Sequence, residues 1–309
     1  MSIKATTTRL LDEFRARPTL RAGSLITTVF GDAIAPRGGS VWIGSLIKCL
    51  AEFGASERLV RTSMFRLTKD GWFDVEQIGR RSYYGLTALG IARFEQATHR
   101  IYGEPRQHWD GQWTLALLAG IEGGDKDTVR KELGWLGFGA VTPHTLAHPA
   151  PNVADLEALL KRMRLHDDLV VVQGNTLSGA QDQALRAMAQ KSWDLADINT
   201  RYGAFIRQFR PAYAAVRKAR KVPPALAFQV RTLLIQEYRK ILLRDPLLPS
   251  ELLPAGWHGT GAYQLCRNLY RAVFAAADEY LGDAMETADG PLPPPEPAFY
   301  QRFGGLDNE

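Results

Sequence analysis

A chain of 309 residues with 45% hydrophobic content is long enough for two or three domains around a sizeable core. No apolar run approaches a membrane span, and Met1–Arg9 lacks the apolar centre of a secretory signal. Cys49 and Cys266 lie far apart in apolar helical contexts and read as free buried thiols of a cytoplasmic protein. The net charge of +5 is unevenly divided: residues 1–100 carry 15 Lys and Arg against 9 Asp and Glu, and residues 101–309 carry 23 against 24. The positive field therefore belongs to the first hundred residues, where it steers a polyanion.

Residues 1–22 are polar and Arg-rich, expected as a mobile arm or a loosely docked short helix. Ser24–Phe30 reads as a first helix, and Gly31–Ser40 breaks the pattern with Pro36, Gly38 and Gly39. Val41–Phe53 reads as a second, amphipathic helix, and Gly54-Ala55-Ser56 as a tight turn into a third. In that third helix Ser56 is suited to the N-cap and Gly71 ends the pattern. Val60, Met64 and Leu67 recur at i, i+4 and i+7 on one inward face. Arg58, Arg61, Thr62, Phe65, Arg66 and Lys69 turn the other way. Phe65 is the odd member, expected to pack on the hairpin or a neighbouring helix in preference to touching a thymine methyl.

Phe73–Gln77 and Ser82–Leu86 alternate apolar and polar residues around Ile78-Gly79-Arg80-Arg81, which describes a hairpin with two arginines at or near its tip. Helix, helix, turn, helix and basic hairpin together describe a winged helix-turn-helix over residues 1–102, with one helix for a major groove and the wing beside it. DNA contacts are expected from Ser56, Arg58, Arg61, Thr62, Arg66 and Lys69, and from Arg80, Arg81 and Ser82 of the wing. Thr87 is placed to cap a helix over Ala88–Ile101.

Gly103–Gly111 is a polar, Pro- and Gly-containing link. Beyond it come a strand (Trp113–Ala119), a helix (Asp125–Leu136), one or two short strands (Gly137–Ala147), a helix (Val153–Leu165) and a strand (Leu169–Gln173). That alternation fits a ferredoxin-like α+β domain over residues 110–182. Helices are expected over Ala184–Lys191, Trp193–Phe209, Pro211–Lys221, Pro224–Leu243 and Thr260–Glu286, giving a helical C-terminal domain at residues 184–289. The Pro-rich tail, residues 290–309, reads as an extended strap or a disordered end. The fold class is thus α+β and multidomain.

His144 and His148 have the spacing of a helical metal pair, but Pro143 and Pro149 bracket them and no carboxylate or thiol is near in sequence. The chain has no phosphate-binding loop and no nucleophile elbow, and Gly256–Gly261 reads as a helix-start turn. No catalytic residue, metal or cofactor is expected. Residues 207–221 hold Arg207, Arg210, Arg217, Lys218, Arg220 and Lys221 with no acid. A solvated helix end, a phosphate site for an anionic effector and a second DNA contact all fit that composition. One winged helix makes few base contacts, so a homodimer held by residues 110–285 is expected.

Gly54–Phe73 resembles the helix-turn-helix of gluconate-repressor-type (GntR) regulators. A wider set resembles the phenylacetic acid degradation repressor (PaaX) family over most of residues 24–285: Phe30–Pro36, Arg58–Ser63, Lys69–Trp72, Gly79–Tyr84, Ile101–Gly103, Trp109–Leu115, Glu132–Gly139, Asp245–Pro249 and Leu269–Arg271. The resemblance implies a repressor of a phenylacetate catabolic operon that binds double-stranded operator DNA. It puts Arg61 where the GntR pattern has a DNA-contacting arginine. It also implies a middle domain similar to the small CRISPR spacer-acquisition nuclease and used for dimerisation; the first strand here lacks an aspartate to hold a metal. The implied effector is phenylacetyl-coenzyme A or a related aryl-coenzyme A, whose ring and phosphates call for an aromatic pocket with a cationic mouth. Trp193, Tyr202, Arg217, Lys218, Arg220 and Lys221 are the candidates for it. The competing readings are a nuclease or other enzyme with a DNA-targeting head, and a purely architectural DNA binder.

Overall fold

The computed structural model of the chain describes residues 2–105, 109–121, 125–176 and 182–306, a mixture of helices and small sheets. Its residues divide into two units. The first comprises Met1–Glu104, Ala204–Lys240 and Gly261–Glu309, and the second comprises Pro105–Gly203 and Ile241–Thr260. The C-terminal helical stretch is therefore shared between the units.

In the first unit the N-terminal residues take the helical one of the two expected forms, as α1 (Ile3–Arg15), and the helix is packed down and not loosely docked. Ser2 caps it, and Leu10, Leu11 and Phe14 are buried. Next comes α2 (Ala22–Val29), whose chain runs on into a π-helical turn over Phe30–Ile34 and a 3-10 turn over Ala35–Arg37. The expected second helix starts later than Val41, because Ser40–Trp42 is a strand, β1, and the helix α3 covers Ile43–Ala51. β-Branched Val41 and aromatic Trp42 suit a strand, and they pair with Tyr84 and Tyr83.

The helix α4 (Glu57–Lys69) matches its reading from sequence. The Ser56 hydroxyl accepts from the Leu59 N–H at 3.3 Å. At the other end Gly71 takes φ +75°, and the N–H groups of Trp72 and Gly71 donate to the carbonyls of Leu67 and Thr68 at 2.9 Å each. That pair of bonds closes the helix as a Schellman motif, which only a left-handed residue at Gly71 permits. The hairpin of β2 (Phe73–Ile78) and β3 (Arg81–Leu86) follows in full register, with Gly79-Arg80 as its loop, and β1 extends it to a sheet ordered β1-β3-β2. The next helix, α5 (Ala88–Tyr102), is capped by Thr87, which accepts from Gly90 N at 2.9 Å and donates to Gly71 O at 2.6 Å.

The rest of this unit comes from the C-terminal part of α9 (Leu195–Lys218), from α10 (Pro224–Leu242) and from α11 (Gly259–Ala284). The two helices expected around Pro211 are one continuous α9. Proline removes one N–H and kinks a helix, but Phe209, Ala212, Ala215 and Val216 are buried on both sides of it and keep the helix seated. The helix α11 stops at Ala284, two residues short of the expected end, and Glu286–Thr287 is a strand, β8. The tail is ordered as far as it is described: β9 (Gly290–Pro291) pairs with β8, and a 3-10 segment over Pro297–Gly304 buries Phe299, Arg302 and Phe303.

In the second unit the order is β4 (Gln112–Leu117), α6 (Asp125–Trp135), β5 (Gly139–Thr142), β6 (Thr145–His148), α7 (Val153–Met163) and β7 (Val170–Asn175). The sheet order is β5-β6-β4-β7, every neighbouring pair antiparallel. Alternation along the strands sends Ala116 and Leu146 into one core with Val129, Leu133, Leu156 and Leu159 of the two helices. It sends Trp113, Leu115 and Ala147 to the other face, covered by Ala189 of α8 (Asp182–Ser192), Trp193, Leu248 and Leu252. The Trp193 indole lies so close to Gly139 that a side chain there would meet its ring, and its N–H donates to the Gly137 carbonyl at 2.8 Å.

Candidate nucleic-acid interface

Val60 and Met64, fully buried, root α4 in the first unit, and Leu67 is half-buried beside them. That fixes the helix's rotation and leaves Arg58, Arg61, Thr62, Phe65, Arg66 and Lys69 all exposed on the opposite side. Arg61 Nε donates to Glu57 Oε1 at 2.8 Å one turn earlier, an exposed pair that competes weakly with other anions. Thr62 donates its hydroxyl to the Arg58 carbonyl at 2.8 Å. Phe65 does not pack on the hairpin or on a neighbouring helix as expected: 69% of it is exposed. A convex helix face of this composition can offer guanidinium and ammonium groups to phosphates and base edges.

The two wing arginines are placed differently from each other. Arg80 lies in the hairpin loop and is exposed. Arg81 is the first residue of β3, paired with Ile78. Its guanidinium lies 4.3 Å from the Trp42 ring centroid and donates to Glu286 Oε2 at 2.7 Å, with both partners about half exposed. Arg81 is thus aimed by the protein itself and already holds an acidic partner. Ser82, opposite Gln77, is half-buried.

α4 packs on α2, and what holds the turns that follow α2 was not visible in α4 itself. Pro36 has no N–H to offer the Asp32 carbonyl, and the π register sends the Ala35 N–H to Phe30, so the Gly31 carbonyl is free as well. Two buried arginines take up both carbonyls. Arg231 of α10 reaches Asp32 O at 3.0 Å, and Arg302 of the tail reaches Asp32 O at 2.8 Å and Gly31 O at 3.0 Å. The same arginines bind the Asp32 carboxylate, Arg231 at 2.7 Å and Arg302 at 3.1 Å, and the hydroxyls of Tyr102 and Tyr270 donate to it at 2.7 and 2.9 Å. Asp278 then joins Arg231 to Arg37 at 2.6 and 2.7 Å. Three arginines face two aspartates, and the surplus charge is spread over rings: Arg302 lies 4.0 Å from the Tyr102 centroid and Arg231 lies 4.9 Å from that of Tyr270.

Burial pushes the Asp32 carboxyl up, but Arg231, Arg302 and the Tyr102 hydroxyl outweigh it and hold the group below the ordinary carboxylate range. Burial, followed by the Asp32 charge, pushes the Tyr102 hydroxyl well up, so it remains a donor. A second tie runs from the turn between α3 and α4: Glu52 accepts from Tyr280 of α11 and from Gln229 of α10, the latter at 2.8 Å. The signals for these ties were single charges inside apolar runs, Asp32 after Leu25–Phe30 and Arg231 between Val230 and Leu233.

The residues expected at an effector site fall in both units. Trp193 and Tyr202 belong to the second, both buried, and the Tyr202 hydroxyl donates to Asp245 at 2.6 Å. Arg217, Lys218, Arg220 and Lys221 belong to the first and are exposed, as are Arg207 and Arg210. His144 pairs with Lys126 at 2.6 Å, and His148, at the end of β6, bonds the Pro246 carbonyl at 3.1 Å. Both cysteines are free and buried, and burial first of all pushes the Cys49 thiol up to about 12. Among the described residues no three His, Cys, Asp or Glu side chains gather as a metal site would need, and no helix is long and apolar enough to cross a membrane.

Three family models match the chain in sequence order: PaaX-like protein over residues 21–90, the central Cas2-like domain of PaaX protein over 106–186, and the PaaX-like protein C-terminal domain over 193–283. The transcriptional repressor PaaX of Escherichia coli (strain K12) is 41% identical over 287 residues, which cover 93% of this chain and 91% of that one. Among solved structures, the uncharacterized protein Rv0674 from Mycobacterium tuberculosis superposes with a TM-score of 0.49 at 21% identity, over 76% of this chain and 89% of that chain.

Proposed function

We propose, from the premise that this chain belongs to the PaaX family, that it is a DNA-binding transcriptional repressor of phenylacetate catabolism. It is a regulator and not an enzyme, as its relative over nearly the full length is. The observation that carries the DNA-binding reading is the outward face of α4, where four cations and Thr62 are all exposed beside a basic hairpin. In this reading α2, α3, α4 and the β2–β3 hairpin are a winged helix-turn-helix, α4 enters the major groove, and Arg80 meets the backbone or the adjacent minor groove. The four-stranded antiparallel sheet with α6 and α7 is a ferredoxin-like domain that pairs two chains, so that two heads read two half-sites about one helical turn apart, or a multiple of it.

The effector is an aryl-coenzyme A, phenylacetyl-coenzyme A first among them, and Arg217, Lys218, Arg220 and Lys221 supply phosphate contacts to it. A coupling of only ~1–3 kcal/mol between effector and operator lowers operator affinity about 5- to 150-fold. The test is an electrophoretic shift of the DNA upstream of phenylacetate catabolic genes, with phenylacetyl-coenzyme A, phenylacetate and coenzyme A added separately. The thioester alone should release the duplex. Binding that no thioester affects would remove the effector, and an unshifted duplex would remove the repressor reading.

A further inference from the structure

Phe65 stands at the centre of the exposed side of α4. Arg61 and Thr62 lie one turn before it, Lys69 lies one turn after, and Arg58 and Arg66 complete the surround. At 69% exposure it is the most exposed of the large hydrophobic side chains described, although the buried positions of the same helix are filled by Val60 and Met64. The helix is capped at both ends and seated by those two residues, so its rotation cannot bring the ring inward. Leaving an aromatic ring in water has no benefit for the free chain, and a surround of four cations selects a polyanion as its cover. Cations with an apolar centre fit one surface in particular, a major groove whose phosphates flank base edges. The apolar feature those edges offer is the 5-methyl group of thymine.

We infer that Phe65 is a specificity-determining residue that packs against a thymine methyl in each half-site, while the surrounding cations fix the helix on the phosphates and on guanine edges. This rests on the DNA-binding reading of α4 and adds to it the base read by an uncharged side chain. The neighbouring arginines fix position and recognise guanine; the ring marks thymine against cytosine, which has hydrogen in place of the 5-methyl group.

The experiment selects duplexes from a randomised pool with the native full-length protein and with Phe65→Ala. The native protein should enrich thymine at one position of each half-site; the variant should keep the rest of the preference and lose that position. Selected duplexes are then remade with deoxyuridine replacing each thymine in turn. Losing one buried methyl corresponds to about fourfold weaker binding, so both half-sites together give about fifteenfold. The native protein should show that loss at the marked position, Phe65→Leu should show part of it, and Phe65→Ala none. Identical preferences for native protein and variant, or equal deoxyuridine effects in both, would overturn the inference while leaving DNA binding intact. Enrichment of no duplex by the native protein would overturn it together with the reading of α4. Native dimers that dissociate in Phe65→Ala at full DNA selectivity would assign the ring to a second copy of the chain, and would overturn it as well.

Discussion

Asp32→Asn removes one negative charge from a site 4% exposed and keeps its shape. In the native chain that carboxylate receives Arg231, Arg302, Tyr102 and Tyr270. The amide keeps one oxygen acceptor, but its NH2 group faces donors, and Arg302 is left without a carboxylate in this cluster. Arg231 still has Asp278 at 2.6 Å. Breaking a buried pair from one side costs about 3–5 kcal/mol, because the remaining charge stays desolvated. That is a large part of an ordinary stability of about 5–15 kcal/mol, and in a unit of this size it lowers Tm on the order of 10 °C.

Circular dichroism through heat and urea, on native protein and variant, measures the loss. Because the folded pKa of Asp32 is depressed, its contribution is fully present above the unfolded value of about 3.9 and disappears as pH falls through the folded value. The native protein should therefore lose its advantage over Asp32→Asn below about pH 4. A difference under about 1 kcal/mol at pH 7, or one that does not shrink in acid, would refute the view that this network carries the unit.

Arg61→Ala should weaken the selected duplex by about 1–3 kcal/mol and blur one base preference, read by fluorescence anisotropy; unchanged selectivity would mean α4 is not the reading helix. Glu286→Gln frees Arg81 from its acid at 2.7 Å, so duplex affinity should rise and the salt slope steepen by about one ion per head. An unaltered slope would leave Arg81 outside the footprint. Ser56→Ala removes the cap of α4 and should cost about 0.5–2 kcal/mol of stability, with no loss in urea titration counting against the capping argument. Light scattering at micromolar concentration should give a dimer, and a monomer that still bound its duplex with full affinity would contradict the two-headed arrangement.

Local patterns were legible where one element's own residues decide it. Ser56, Gly71 and the spacing of Val60 and Met64 place α4 and its exposed face, and Thr87 places the start of α5, because caps and periodicity act within a turn or two. Val41 and Trp42 were harder, since they carry a helix-like apolar period and become a strand only because β3 is there to pair with them. Phe65 was expected to be covered, and nothing in a single helix says whether a neighbour will reach it. The fixation of Asp32 was out of reach for the same reason: Arg231 and Arg302 stand 199 and 270 residues further on. A lone charge in an apolar run announces that a partner exists without saying which. Arg81 shows the converse, a surface cation that already holds an acid, Glu286, expected at the end of a helix and found in the strand β8.

The most direct test compares the native protein with an Arg58→Ala, Arg61→Ala, Arg66→Ala variant on a duplex selected by the native protein, titrated by anisotropy across a salt series. All three side chains are exposed and none is part of the buried network, so the variant should unfold at nearly the native temperature. Binding should fall on the order of a hundredfold or more, with a clearly shallower salt slope. Native affinity and slope in a variant of native stability would show that the duplex is held by another surface, and the account of α4 would be wrong.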